Sequence, residues 1–136
     1  NVDDCFWPGA AWFVPELIDL VRRIRAVCDA PIVLGGVGYS IFSERIVEET
    51  HVDFGIRGDG ELALVELLVR LRTRRDIDGI DGLIWRDGGR NRANRPAWPE
   101  KLSIPPDRNV VDNATYFRLG GQIGLETKRG CYRECA

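Results

Sequence analysis

Two stretches of the sequence decide the fold: PIVLGGVG at residues 31–38 and FGIRGDGE at residues 54–61. Each begins with a short apolar run and ends in a glycine-rich turn. A wholly apolar run of this length is typical of a strand that is covered on both faces, as in a parallel sheet. We therefore predict strands at residues 32–34 and 54–56, each followed by a turn and a helix.

Helical patterns lie before, between and after these strands. Apolar side chains recur at helical spacing from Pro15 to Cys28, and Ser43 can cap a second helix that ends near Thr50. Cys28 falls on the apolar stripe of the first helix, so we expect a small core residue there. A third helix is predicted at residues 61–74. Its expected buried side consists of Leu62, Val65, Leu68, Val69 and Leu71. Alternating helices and strands predict parallel strands joined by right-handed crossovers.

The pattern changes after Arg75. Residues 83–85 are a short apolar run followed by Arg-Asp-Gly-Gly, which predicts a strand and a tight hairpin turn, because Asp-Gly supplies the positive φ such turns need. Residues 91–109 are rich in Pro, Arg and Asn without a period, which indicates a linker. Residues 122–127 have the pattern of a new strand, and a basic loop follows them.

Charge and composition restrict the partners and the location. The chain has 19 basic and 21 acidic side chains, a formal charge of −2, so we expect neither a nucleic-acid nor a membrane partner. No apolar run approaches the roughly 20 residues needed to span a bilayer, and no signal peptide opens the sequence, so we expect a cytoplasmic protein. In that compartment the four cysteines are expected to be reduced thiols or metal ligands rather than disulfides.

The glycine-rich turns are the first candidate site. In an open α/β sheet, ligands bind outside the carboxyl ends of the strands, where such turns lie. The candidate ligand-binding residues are Gly35, Gly36, Gly38, Gly58, Asp59, Gly60 and Glu61. The first turn, at residues 35–38, matches neither the dinucleotide pattern Gly-x-Gly-x-x-Gly nor a phosphate loop. The alternative that these glycines only make tight turns between strands and helices therefore stays open.

The second candidate site is KRGCYREC at residues 128–135, in which three residues separate Cys131 from Cys135. Thiolate is the preferred ligand for iron in a cluster, and a basic neighbourhood favours the thiolate form. Two cysteines four residues apart can also be incidental. The position of this pair in a basic loop after a predicted strand favours a metal site.

These motifs and their order resemble one enzyme family. TKRGCYRECA at residues 127–136 resembles the first two thirds of the Cys-x-x-x-Cys-x-x-Cys loop of radical SAM enzymes, and the third cysteine is expected two residues after Ala136. Residues 31–36 and 58–61 resemble the last two strands of the cobalamin-binding domain that precedes the radical SAM barrel in one large subfamily. Residues 1–4 resemble the segment that leaves the third strand of that domain. The chain is thus similar to the cobalamin-binding-domain-containing radical SAM family over nearly its whole length.

The resemblance implies an α/β fold in three parts. Residues 1–75 are expected to be the carboxyl-side part of a flavodoxin-like or Rossmann-like parallel sheet of the cobalamin-binding type. Residues 76–119 are expected to form a β-hairpin and a linker. Residues 120–136 are expected to begin a truncated radical SAM domain with the first strand of its barrel.

The resemblance also implies function. The full-length protein is expected to cleave S-adenosylmethionine reductively at a [4Fe-4S] cluster, with an electron donor, most simply for radical methyl transfer to an unidentified small molecule. Cys131 and Cys135 would ligate iron, and the candidate glycines would face the corrin of cobalamin or its nucleotide tail. No residue of this chain is assigned a catalytic role. The chain alone is expected to be inactive, because two thiolates do not hold a stable cluster.

One departure from the pattern of related cobalamin domains keeps an alternative open. The Asp-x-His-x-x-Gly motif, which supplies a lower cobalt ligand in some of these domains, does not occur in these residues, so the ligation of cobalt is undetermined. The alternative function is a corrinoid- or nucleotide-binding α/β module without catalytic activity.

Overall fold

The computed structural model describes residues 3–4, 11–96, 104–105, 107–122 and 124. Within these ranges the strands are β1 (Asp3–Asp4), β2 (Ala11–Trp12), β3 (Val33–Leu34), β4 (Phe54–Ile56), β5 (Leu83–Asp87) and β6 (Arg90–Ala93). The helices are α1 (Val14–Arg25), α2 (Val37–Ile41), α3 (Ser43–Thr50), α4 (Glu61–Thr73) and α5 (Asn113–Gly120), with a 3-10 turn at Arg108–Val110. No helix in the described part is long and apolar enough to cross a membrane. Residues 1–102 form one compact unit and residues 103–136 another.

The main sheet is mixed. β3 and β4 run parallel as predicted, β4 and β5 run antiparallel, and β5 and β6 form the predicted hairpin, so the strand order is β3-β4-β5-β6. Gly88 and Gly89 both have positive φ in the hairpin turn, which is why the Asp-Gly pattern located it. The hairpin extends the sheet of β3 and β4, which makes the sheet mixed, whereas the hairpin was expected as a separate element after the parallel part. The predicted first strand of a barrel, at residues 122–127, lies mostly outside the described residues.

Both faces of the main sheet are covered. Side chains alternate along β5, so that Ile84 packs in one core with α1 and α3, whereas Leu83 and Trp85 pack on the other side against α4. The first core contains the buried residues Val14, Val21, Tyr39, Ile46, Val47, Val52 and Ile84. The second contains Ile56, Ala63, Leu67, Ile80, Leu83 and Trp85. Burial on both faces explains why β3, β4 and the first three residues of β5 are apolar, whereas the exposed strand β6 is polar.

α1 is shorter than predicted. The helix ends at Arg25, whose guanidinium donates a hydrogen bond of 2.7 Å to the carbonyl of Ala30. Val27 is 86% exposed and Cys28 is an exposed free thiol. The prediction of Cys28 as a core residue was wrong, because the chain has left the helix before this position and the helical spacing no longer applies.

α4 buries a different side from the one predicted. Ala63 and Leu67, one helical turn apart, face the sheet. The five residues predicted to be buried, Leu62, Val65, Leu68, Val69 and Leu71, are 36–61% exposed. Apolar residues surround most of this helix, so their spacing could not indicate which side contacts the sheet.

The second unit contains a helix that the sequence patterns did not predict. α5 begins after the linker predicted at residues 91–109 and lies almost wholly in the broader hairpin-and-linker part predicted at residues 76–119, whereas β6 lies mostly within the predicted linker. The carboxylate of Asp112 accepts a hydrogen bond of 2.9 Å from the backbone N–H of Thr115, and Gly121 ends the helix with φ of 72°. An acidic N-cap followed by glycine at the far end is a recognisable signal, although the apolar spacing between them is weak.

α2 packs on β4 at a position where only glycine fits. Tyr39 is 4% exposed, and a Cβ built on Gly55 would overlap the hydroxyl oxygen and the ring of Tyr39. The Tyr39 hydroxyl has no hydrogen-bond partner among the described residues. Burial raises the pKa of this hydroxyl above its usual value, and the positive charge of Arg57 opposes the rise only in part. The absence of a side chain at Gly55 therefore allows the close approach of helix and strand.

The opposite edge of the sheet is held by Asp53, the residue before β4. Its carboxylate accepts a hydrogen bond of 2.7 Å from the backbone N–H of Ile32 and pairs with the guanidinium of Arg25. Partial burial acts to raise the pKa of Asp53, but the Ile32 N–H and the Arg25 charge hold the pKa below its ordinary value. One carboxylate thus joins the end of α1 to the starts of β3 and β4.

Replacing Gly55 by alanine is expected to lower the free energy of unfolding by about 1–3 kcal/mol, because the added methyl group has no space beside Tyr39. Urea unfolding measures the change. Gly60→Ala is the control, since its Cβ would lie 3.6 Å from Ile56, an ordinary contact. A Tyr39→Leu background should recover part of the loss. Equal stability of Gly55→Ala and Gly60→Ala would contradict the packing described.

Asp53→Asn is expected to destabilise the fold at pH 7 and to do so less as the pH falls. Because the pKa of Asp53 is lower in the folded state than in the unfolded chain, the carboxylate contributes stability above about pH 4, and this contribution is lost as the pH falls through the folded-state pKa. Urea unfolding at pH 7, 5 and 3 measures the dependence. Asp19→Asn removes an exposed pair with Arg22 and should change little at any pH. If Asp53→Asn lowered the free energy of unfolding equally at pH 7 and pH 3, the stabilising role of the ionised carboxylate would be refuted.

Candidate cofactor-binding edge

Both glycine-rich turns lie at one edge of the main sheet. Because β3 and β4 are parallel, their carboxyl ends meet at the same edge, and residues 35–38 and 57–60 follow those ends. We call these two segments the glycine edge. The structure therefore brings together glycines that are 20 to 25 positions apart in the sequence.

Two of the candidate glycines have a backbone that requires glycine. Gly36 has φ of 101° and Gly58 has φ of 96°, values that other residues rarely adopt. A Cβ built on Gly36 would meet nothing within 4 Å, so this backbone faces open space. Gly35 and Gly60 tolerate a Cβ at ordinary contact distances, and Gly38 lies partly buried in the first turn of α2. The need for glycine is therefore conformational at Gly36 and Gly58.

The acidic candidates lie on or beside the second turn. Asp59 is part of that turn, and Glu61 begins α4. Both are partly buried, and each already has an interaction partner within the protein. Their role as acceptors for a ligand stays a prediction.

Ser40 joins the two turns and was not identified from the sequence. Its hydroxyl donates a hydrogen bond of 2.9 Å to the carbonyl of Gly36 and accepts one of 3.0 Å from the backbone N–H of Gly58. The first bond is a common one for a serine four residues further along a helix. The second connects residues 18 positions apart, so no local pattern could reveal it.

Arg57 directly follows β4 and is the first residue of the second turn. Its backbone N–H donates to the carbonyl of Gly82 at 2.8 Å. Its guanidinium pairs with Glu44 and contacts the carbonyl of Asn94, both at 3.4 Å, and its Nε has no hydrogen-bond partner among the described residues. This cationic side chain therefore connects the glycine edge to α3 and to the segment after β6.

The chain leaves the sheet beside the glycine edge. β6 is antiparallel to β5, which is antiparallel to β4, so the carboxyl end of β6 returns to the edge where β4 ends. The backbone N–H of Asn94 donates to the carbonyl of Leu83 at 2.9 Å, and Asn94 Nδ2 donates to the carbonyl of Ile80 at 2.9 Å. These bonds fix the point from which the chain continues.

A shallow cavity of about 450 Å³ lies at the opposite edge of the sheet, lined in part by Pro31, His51, Asp53 and Arg86. None of the candidate ligand-binding residues lines it. His51 is exposed and ends α3 in a left-handed conformation. Because Asp53 already binds Arg25 and Ile32, its contribution to this cavity is structural.

Cys131 and Cys135 lie outside the described residues, so their role as metal ligands stays a prediction. Among the residues that the structure does describe, no group of three or more His, Cys, Asp or Glu side chains could hold a metal ion. The loop at residues 128–135 was not part of this set, because it lies outside the described residues.

Comparisons with known proteins identify relatives of the chain, although no family profile matches it. The chain is 27% identical to tryptophan 2-C-methyltransferase of Streptomyces laurentii over 88% of this chain and 28% of the relative. It is 32% identical to an uncharacterized methyltransferase of Pyrococcus horikoshii over 90% of this chain and 31% of the relative. The chain thus spans less than a third of the length of these curated relatives.

The chain is also similar to methyltransferases among the solved structures. The radical S-adenosylmethionine methyltransferase TsrM from Kitasatospora setae, with cobalamin and a [4Fe-4S] cluster bound, is 34% identical with a TM-score of 0.58, over 68% of this chain and 16% of that chain. A second TsrM structure, with tryptophan substrate and a SAM analogue, is 30% identical with a TM-score of 0.61, over 79% of this chain and 22% of that chain. The fold and the sequence agree, and the chain belongs to the cobalamin-binding-domain-containing radical SAM family.

Proposed function

We propose that the glycine edge binds cobalamin and that Cys131 and Cys135 ligate a [4Fe-4S] cluster in a radical SAM methyltransferase of which this chain forms part. The observation that carries the proposal is the placement of two glycine turns at the carboxyl edge of a parallel strand pair, in a chain similar to a protein solved with cobalamin and a [4Fe-4S] cluster. Because the chain spans only part of its relatives, the activity is proposed for the whole protein.

The residues present fit a corrin ring. Gly36 places bare backbone in front of open space, and its positive φ excludes a side chain that would fill this space. Such a surface lets a flat ring approach the main chain closely. The chain leaves the sheet at Asn94, so a ligand on the glycine edge would lie beside the exit point.

The cluster loop fits by the chemistry of its donors. Cys131 and Cys135 are thiolate donors among basic residues, and the spacing leaves one further cysteine to be supplied. When bound, the cluster with S-adenosylmethionine supplies reductive cleavage, and cobalamin supplies methyl transfer. The role of this chain is to place these groups and hold them. Gly35, Gly38, Gly58, Gly60, Asp59 and Glu61 are proposed to complete the corrin-binding surface.

Finer assignments are also proposals. We keep the division into residues 1–75, 76–119 and 120–136, with the sheet of the first part extended by the hairpin. The whole protein is proposed to act in the cytoplasm on a small molecule and to take electrons from a donor. TsrM has been solved with tryptophan. The substrate of the present protein is assigned only as a small molecule.

Gly36→Ala is expected to weaken corrinoid binding by the full-length protein at least tenfold, because a methyl group at φ of 101° strains the turn and enters the proposed ring site. Titration with hydroxocobalamin, followed by absorbance, measures the dissociation constant. Gly89→Ala is the matched control: it also replaces a glycine of positive φ with nothing within 4 Å, but in the hairpin turn at the other edge. Equal affinities of the two variants would place the corrinoid elsewhere.

Sequencing the parent gene beyond Ala136 is expected to show a cysteine two residues further on. The full-length protein, reconstituted anaerobically with iron and sulfide, should then hold about 4 iron atoms per chain. Cys131→Ala and Cys135→Ala should lose most of this iron. Cys28→Ala is the control, since its thiol is exposed and it precedes Cys131 by 103 residues in the sequence, outside the cluster motif.

The same experiments distinguish a radical SAM methyltransferase from a corrinoid-binding module without catalytic activity. A stop codon or another residue at that position, together with corrinoid binding without iron, would favour a corrinoid-binding module over an enzyme. Full iron content in Cys131→Ala would refute the assignment of this cysteine as a ligand.

A further inference from the structure

We propose that Ser40 is a positioning residue that couples the two glycine turns, so that they hold a corrinoid as a single surface. This inference rests on the proposed binding of cobalamin at the glycine edge. It adds a residue that touches neither the proposed ring nor the cluster and acts through the two turns.

The hydroxyl of Ser40 both donates and accepts a hydrogen bond. It donates to the carbonyl of Gly36, and that carbonyl also accepts the backbone N–H of Ser40 at 2.9 Å. The hydroxyl oxygen accepts the N–H of Gly58 at 3.0 Å. One side chain therefore bonds to both residues whose positive φ defines the two turns.

The strand pairing alone does not fix the turns relative to each other. β3 and β4 are paired only at Val33 with Phe54 and at Leu34 with Gly55, and both turns begin beyond the last pair. Glycine-rich segments have more conformational freedom than any other backbone. Two hydrogen bonds of the Ser40 side chain join the turns beyond the end of the parallel pair.

α2 itself is anchored separately. Tyr39 packs on Gly55 on the side of α2 that faces the sheet, and this contact does not involve the Ser40 hydroxyl. Removal of the hydroxyl should therefore leave α2 in place while it releases the N–H of Gly58. The expected consequence is a loss of ligand affinity without a loss of folding.

The test compares four forms of the full-length protein: wild type, Ser40→Ala, Ser40→Thr and Thr73→Ala. The dissociation constant for hydroxocobalamin is measured by absorbance titration, and the thermal midpoint is measured without corrinoid. Ser40→Thr keeps the hydroxyl, which in a helix can bond to the carbonyl four residues earlier. Thr73→Ala is the matched control, because Thr73 makes the same type of bond to the carbonyl of Val69, at 2.8 Å, but joins no second segment.

Ser40→Ala is expected to weaken corrinoid binding about tenfold, with a thermal midpoint close to that of the wild type, since two hydrogen bonds to the turns are lost. Ser40→Thr should bind within about threefold of the wild type, and Thr73→Ala should bind as the wild type does. Three results would each overturn the inference about Ser40 and leave the proposed function intact. They are wild-type affinity in Ser40→Ala, equally weakened binding in Ser40→Ala and Ser40→Thr, and failure of Ser40→Ala to fold. A wild-type protein that binds no hydroxocobalamin would overturn the proposed function and this inference with it.

Discussion

β3 and β4 run side by side in the same direction over two residue pairs, and the position of every candidate ligand-binding group in the first unit follows from this. Parallel strands place their carboxyl ends at one edge, so residues 35–38 and 57–60 become neighbours. The antiparallel hairpin then reverses the chain twice and returns it to that edge at Asn94. The candidate ligand-binding turns and the exit of the chain thus lie at the same edge because of strand direction.

Two contacts hold this arrangement at opposite edges. Asp53 joins α1, β3 and β4 where the strands begin, through a charge-assisted hydrogen-bond pair. At the glycine edge the contact is steric, since Tyr39 lies against the backbone of Gly55. The contact of Asp53 depends on pH, whereas the packing of Tyr39 on Gly55 does not. The stability of the sheet can therefore change with pH while the geometry of the turns stays the same. The outer side of α4 has no comparable contact within the described residues, and such an apolar surface is typical of a helix that packs inside a larger protein.

Much of the first unit could be predicted from local patterns. The strands at residues 33–34 and 54–56 and the hairpin followed from short apolar runs and from glycine punctuation, both of which reflect local backbone preferences. The errors concern where α1 ends and which side of α4 packs against the sheet, and local spacing decides neither of these. Cys28 was assigned to a helix that ends three residues earlier, and the buried side of α4 was assigned from a spacing that is apolar nearly all round. α5 was missed because its caps are clear but its apolar period is weak.

For the candidate site, the sequence by itself determined the chemical types: glycines that expose backbone, a pair of thiols at cluster spacing, and the order of motifs that identifies the family. These are properties of residue type and of separation along the chain. Only the tertiary structure decided which glycines need a positive φ, that Ser40 bonds to Gly58, and that Tyr39 requires a glycine at residue 55. The last two depend on contacts between residues 16 to 18 positions apart in sequence, which exist only in the folded chain, and the first depends on backbone angles that glycine permits but does not require.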